Sequence, residues 1–145
     1  KSMIIGAVEW IALPELGVER LRARVDTGAA SSALHVENIE IFQRGEQDWA
    51  RFEVIVGGVH RWRRVQSAAP LSGVRRVRNT GGEIEERYAI RTTLVLGKNR
   101  WLTDINLSNR DKMRYRMLLG RSAMQQVLVN PSRLYLHAWP DIDKA

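Results

Sequence analysis

The chain contains no cysteine, which removes disulfides and thiolate metal sites from its chemistry and suits a reducing compartment, the cytoplasm. It also lacks any apolar run of membrane-spanning length. Lys1 to Glu9 breaks into charge before it reaches the length of a signal-peptide core, so the chain reads as soluble with no membrane partner. Internal repeats, low-complexity tracts and linker-like stretches are missing too. At 145 residues there is enough chain for one substantial core and too little for two, so 1–145 reads as a single domain. Histidine is scarce, with only His35, His60 and His137. His35-Val36-Glu37 sets an imidazole and a carboxylate on one strand face, but no His-Glu-x-x-His helix accompanies them and no metal site is expected. Gly97-Lys98 lacks the glycine-rich run that cradles phosphates, and no other cofactor is expected either.

What is present is short strand-like segments punctuated by turns, the pattern of an all-β barrel. Met3 to Leu13 supplies one or two strands, closed by Pro14 and Gly17. Gly57-Gly58 tips a first hairpin between Trp49–Val56 and Val59–Gln66. Ala68-Ala69-Pro70 interrupts pairing, because proline cannot donate to a ladder. A second hairpin runs from Val74–Arg78 to Ile84–Leu96 around Asn79-Thr80-Gly81-Gly82. Ser108-Asn109-Arg110-Asp111 has the spacing of a capping box, which predicts a helical turn. Met117 to Leu119 reads as a buried strand, Ser122 caps a short C-terminal helix to Val127, and Arg133 to His137 alternates as a last strand.

The focus of the pattern is Arg24-Val25-Asp26-Thr27-Gly28-Ala29-Ala30-Ser31-Ser32-Ala33-Leu34. Leu21, Ala23 and Val25 alternate with Arg20, Arg22 and Arg24, the period of a strand with one buried face. Asp26 therefore falls where a strand breaks. Gly28 supplies backbone angles closed to other residues, and Thr27 turns its hydroxyl into a hydrogen-bond network beneath the carboxylate. An isolated Asp-Thr-Gly is more often an ordinary turn than a catalytic one.

The order of motifs changes that weighting. Asp26-Thr27-Gly28-Ala29, then the glycine-tipped hairpin, then Met117-Leu118-Leu119-Gly120-Arg121 before a short helical run, resembles the retropepsins, the single-domain aspartic peptidases. Within them, Trp10 to Leu136 is similar to a bacterial family labelled ATP-dependent zinc proteases. Its marks are Ser32-Ala33-Leu34-His35 after the Asp turn and Asn109-Arg110-Asp111 before Met117. The resemblance implies a closed retropepsin-like β-barrel with a flap hairpin, the hairpin around Gly57-Gly58 being an addition to the compact viral form.

It also implies an aspartic endopeptidase with Asp26, Thr27 and Gly28 at its catalytic centre. Ala29, Ala30, Thr80, Gly81, Gly82 and Arg121 would line the substrate. Hydrolysis needs one ionised and one neutral carboxyl group side by side, and the chain holds one Asp-Thr-Gly, so a homodimer is expected. Ala29 stands where acid-active relatives carry a hydroxyl, which predicts activity extending towards neutral pH. Ala30 replaces the second Asp of viral relatives, so Arg121 loses that partner; another carboxylate is favoured over the substrate as its replacement. The family is linked to enzymes that append glutamates to a small-subunit ribosomal protein, which implies a peptide or protein substrate with a glutamate-rich tail. Net charge is +7, from 23 Lys and Arg against 16 Asp and Glu, and such a surface attracts polyanions of any kind. The competing readings are a basic barrel that binds nucleic acid or ribosomes without catalysis, and a zinc-dependent peptidase. Core packing accounts better for the aromatics, and nucleic acid is not an expected partner.

Overall fold

The structure, a computed structural model, describes residues 3–58, 60–78, 81–109 and 113–143. Ten strands follow in order: β1 (Met3–Ile5), β2 (Val8–Leu13), β3 (Val18–Val25), β4 (Ser32–Arg44), β5 (Gln47–Gly57), β6 (Trp62–Arg78), β7 (Ile84–Leu96), β8 (Asn99–Ser108), β9 (Met117–Leu119) and β10 (Val127–Val129). Two 3-10 turns, Pro14–Leu16 and Arg121–Ala123, are the helical elements among the described residues.

Two long strands change partners midway, and this closes the sheet. Ser32 to His35 of β4 pairs with β8, and Ala33 and Leu34 also pair with β9 on the other side, whereas Val36 to Arg44 pairs with β5. Likewise β6 pairs with β5 from Trp62 to Pro70 and with β7 from Leu71 onward. Since β2 pairs with both β3 and β7, the strands β2, β3, β9, β4, β8 and β7 form a complete ring, and the β5–β6 hairpin forms a second circuit beside it. A ring leaves no open edge along those strands. The turn in β4 comes at a register shift between Glu37 and Glu40, where Asn38 takes φ 56°, a region asparagine tolerates better than most residues.

Inside the ring, Ile11, Leu13, Leu34, Ile90, Leu94, Leu96, Ile105 and Met117 are all fully buried. They alternate with outward residues as the strand period requires, and their removal from water is the main driving force for the fold.

The all-β barrel and the β6–β7 hairpin match expectation, with differences in detail. Pro70 does not break β6; it stands opposite Trp49 at the last pair before the strand changes partners, the one place where a missing amide is cheap. The C-terminal helix shrinks to the 3-10 turn Arg121–Ala123, because the Ser122 amide bonds the Ala30 carbonyl at 2.9 Å and Val127–Val129 is drawn into parallel pairing with β1. A six-residue helix has too little intrinsic stability to compete with such pairing. Arg133 to His137 forms no strand: Tyr135 takes φ 51°, and the Leu136 and His137 amides donate to the Glu9 carboxylate instead of to a ladder. Of the expected capped turn, residues 110–112 lie outside the described residues, as do Asn79 and Thr80 of the expected flap tip.

Candidate active site

The short strand β9 lies between β3, parallel to it, and β4, antiparallel to it. Its neighbours show why. Ala23, Met117, Leu119, Leu34 and Ser32 all point into the core and are almost wholly buried, so this narrow three-strand unit is pinned from below. Asp26 follows β3 directly, with its amide still in the ladder, donating to the Leu119 carbonyl at 2.9 Å.

From there the chain turns under tight control. The Gly28 amide donates to Asp26 Oδ1 at 2.9 Å, and the Ala29 amide to the Asp26 carbonyl at 3.2 Å. The other side of the turn is tied to the segment after β9: Arg121 N–H donates to the Ala29 carbonyl at 2.8 Å and Ser122 N–H to the Ala30 carbonyl at 2.9 Å. Below both, the Gly120 amide donates to the buried Ser32 hydroxyl at 3.0 Å. Glycine is required at 120, because a Cβ there would lie 2.4 Å from the Ser31 carbonyl group. The outcome is a half-buried carboxylate at the sheet end with one oxygen held by a backbone amide and the other without a hydrogen-bond partner among the described residues.

The structure thus brings Asp26, Thr27, Gly28, Ala29, Ala30 and Arg121 together. Gly81 and Gly82 belong to another element, the exposed tip between β6 and β7, where Gly82 takes φ 84° and its carbonyl accepts a hydrogen bond from Arg78 Nη1 at 2.8 Å. Thr80, expected beside them, lies outside the described residues.

Three expectations change. Gly28 does not take a positive φ; glycine suits it because a Cβ would sit 3.2 Å from Asp26 Oδ1, crowding the carboxylate that its amide holds. Thr27 is exposed and its hydroxyl has no hydrogen-bond partner among the described residues, so the expected network beneath the carboxylate is absent within one chain. Arg121 finds no carboxylate among the described residues; its Nη1 donates to the Thr27 carbonyl at 2.9 Å, bracing the turn through the backbone. Ser32, legible in the sequence only as part of a family mark, has a role there that was not: its hydroxyl holds the Gly120 amide. Its signal was parity, a serine at a core-facing position of a strand whose next inward residue is Leu34.

His35 and Glu37 do share a face. His35, 1 % exposed, places Nε2 3.1 Å from Glu37 Oε2, and Arg64 bonds the other Glu37 oxygen while also lying 3.4 Å from Glu53. The Arg64 guanidinium, with help from His35, holds the Glu37 carboxyl below the usual carboxylate range. This cluster fastens β4, β5 and β6 to one another, as its strand positions require.

The chain is similar to other bacterial proteins. A Parasynechococcus marenigrum protein named probable alpha-L-glutamate ligase is 48 % identical over 132 residues, which cover 90 % of this chain and 28 % of that protein. A Desulfotalea psychrophila protein of the same name is 44 % identical over 126 residues, 87 % of this chain and 27 % of the relative. The chain therefore spans less than a third of the length of these curated relatives. The crystal structure of Lpg0085, a Legionella pneumophila protein of unknown function, matches with a TM-score of 0.77 at 26 % identity, over 94 % of this chain and 98 % of that one. The model of the RimB-like family, described as retropepsin-like aspartic endopeptidase RimB, matches residues 4–139, and the chain belongs to that family.

Proposed function

We propose that this chain is half of an aspartic endopeptidase whose active centre forms when Asp26 of two copies meet across a two-fold axis. The observation that carries the reading is the Asp26 turn itself: one carboxylate, half-buried at a strand end, with a single oxygen fixed by the Gly28 amide. Two such carboxyls in contact share one proton, since both cannot ionise cheaply. The ionised partner takes a proton from water and the neutral one polarises the scissile carbonyl; the dyad titrates as a unit. Each exposed Thr27 has a hydroxyl without a partner among the described residues, available to bond across the axis, and the hairpin tipped by Gly81 and Gly82 closes over bound peptide, excluding water. Thr80, which precedes Gly81 in sequence, and Ala30, beside the Asp turn, complete the peptide-binding surface in this reading. Ala29 offers no hydroxyl to the dyad, which favours activity at pH values closer to neutral.

The substrates that fit are acidic protein tails, glutamate-rich ones first. The net charge of +7 supports this, as do relatives named glutamate ligases, of which this chain matches a part. The test is incubation of a glutamate-tailed peptide with the wild type and with Asp26→Asn. The substitution keeps the shape and removes the titrating group, so cleavage falls about 10³-fold or more while circular dichroism is unchanged. Undiminished cleavage by the Asn variant overturns the proposal.

A further inference from the structure

The outward face of β3 carries Arg20, Arg22 and Arg24, all exposed, on alternate positions from the buried Leu21 and Ala23. Two of these arginines are occupied. The Arg20 guanidinium stacks 3.7 Å from the centre of the Trp139 ring, and that of Arg22 lies 5.5 Å from the centre of the Tyr115 ring. Arg24 differs: among the described residues it has neither an aromatic ring nor a carboxylate against it. It also precedes Asp26 by two residues in sequence, a spacing of about 7 Å along an extended strand.

Its neighbours are small or apolar. Arg24 stands between Val8 of β2, which is buried, and Leu118 of β9, which in turn stands opposite Ala33 of β4; Leu118 and Ala33 are only half-buried. Residues directly opposite in a sheet share a face. Val8, Arg24, Leu118 and Ala33 therefore form one row across the side of the sheet away from the core, with Arg24 as its one cation and, among the described residues, no carboxylate against it.

We infer that Arg24 is a specificity-determining residue: it binds the carboxylate side chain of the substrate residue next to the scissile bond, and the partner's Arg24 binds the one on the other side. This rests on the dimeric peptidase reading of Asp26, in which two-fold symmetry places one such arginine on each flank of the dyad. A guanidinium presents a planar fork that matches a carboxylate through two parallel hydrogen bonds, which a lysine cannot reproduce. Closure over the peptide removes water and strengthens the pairing. An acidic substrate would thus be selected where it is cut, in addition to being attracted by the overall positive field.

The experiment compares two peptides identical except at the residues flanking the cut, Glu-Glu in one and the isosteric Gln-Gln in the other. Wild type, Arg24→Gln, Arg22→Gln and Asp26→Asn are assayed on both, with thermal unfolding to verify that each variant is folded. The proposal expects wild type to prefer the Glu-Glu peptide in kcat/KM, and Arg24→Gln to lose about tenfold or more on that peptide with little change on Gln-Gln, while Arg22→Gln keeps the wild-type preference. Arg24→Glu should reverse the preference in favour of a Lys-Lys peptide. An unchanged preference in Arg24→Gln, or an equal loss on both peptides, overturns the role given to Arg24 and leaves the peptidase reading standing. A wild type that cleaves neither peptide any better than Asp26→Asn overturns the peptidase reading, and this inference with it.

Discussion

At Gly120 the absence of one side-chain carbon decides whether the Asp26 turn can form. A Cβ there would sit 2.4 Å from the Ser31 carbonyl, a backbone group next to the start of β4, while Gly120 directly follows β9 and is tied by its amide to Ser32, so neither side can yield cheaply. Gly120→Ala is expected to destabilise the chain by about 2–4 kcal/mol in denaturant unfolding. Activity should fall further than stability accounts for, because the clash displaces the strand end that carries Asp26. Asp26-Thr27-Gly28 and Leu119-Gly120-Arg121 were legible as motifs in the sequence. Why their glycines are needed was not: Gly28 and Gly120 serve close approach rather than unusual φ, and close approach depends on residues brought from elsewhere in the chain. Arg121 shows the same limit, since a partner contributed by a backbone carbonyl leaves no trace in the sequence.

Among the elements, the C-terminal segment after β10 was the least predictable. It has the alternation of a strand but is held by a side chain. Glu9, fully buried in β2, accepts hydrogen bonds from the Gly6 amide at 2.7 Å, the Leu136 amide at 3.0 Å and the His137 amide at 3.2 Å. A buried carboxylate in a strand otherwise rich in apolar residues was the available signal. Glu9→Ala leaves these donors without an acceptor and should cost about 3 kcal/mol or more in urea unfolding. The turn between β2 and β3 is fastened similarly. Glu15 accepts hydrogen bonds from the Thr93 amide at 2.9 Å and the Thr92 hydroxyl at 3.2 Å, and the Thr93 amide above all holds its carboxyl below the ordinary value of 4.5. A depressed carboxylate pKa stabilises the fold above the unfolded value and ceases to do so as pH falls through the folded one. Thermal unfolding followed from neutral pH down through the carboxylate range should show a smaller acid loss for Glu15→Gln than for wild type. The hairpins, by contrast, were readable because turn glycines and two-residue alternation are local signals.

For the whole molecule, the ring of β2, β3, β9, β4, β8 and β7 makes a closed support with the half-buried Asp26 at the end of β3. The 145 residues hold one Asp-Thr-Gly, and the dimeric reading follows from that count. The all-β class was legible from strand period and turn spacing, whereas the partner changes in β4 and β6 that close the two circuits were not, because they depend on which strands meet rather than on any one strand's composition. The most direct test of the account is to mix wild-type chain with increasing amounts of Asp26→Asn, after dissociation and reassociation, and follow cleavage of a glutamate-tailed peptide. If each active centre takes one aspartate from each of two chains, an equal mixture retains about a quarter of the activity of the same total amount of wild type, because only that fraction of randomly formed pairs carries both acids. Activity that falls only to about half, in proportion to the wild-type chain present, would mean that each chain acts alone and would contradict the account.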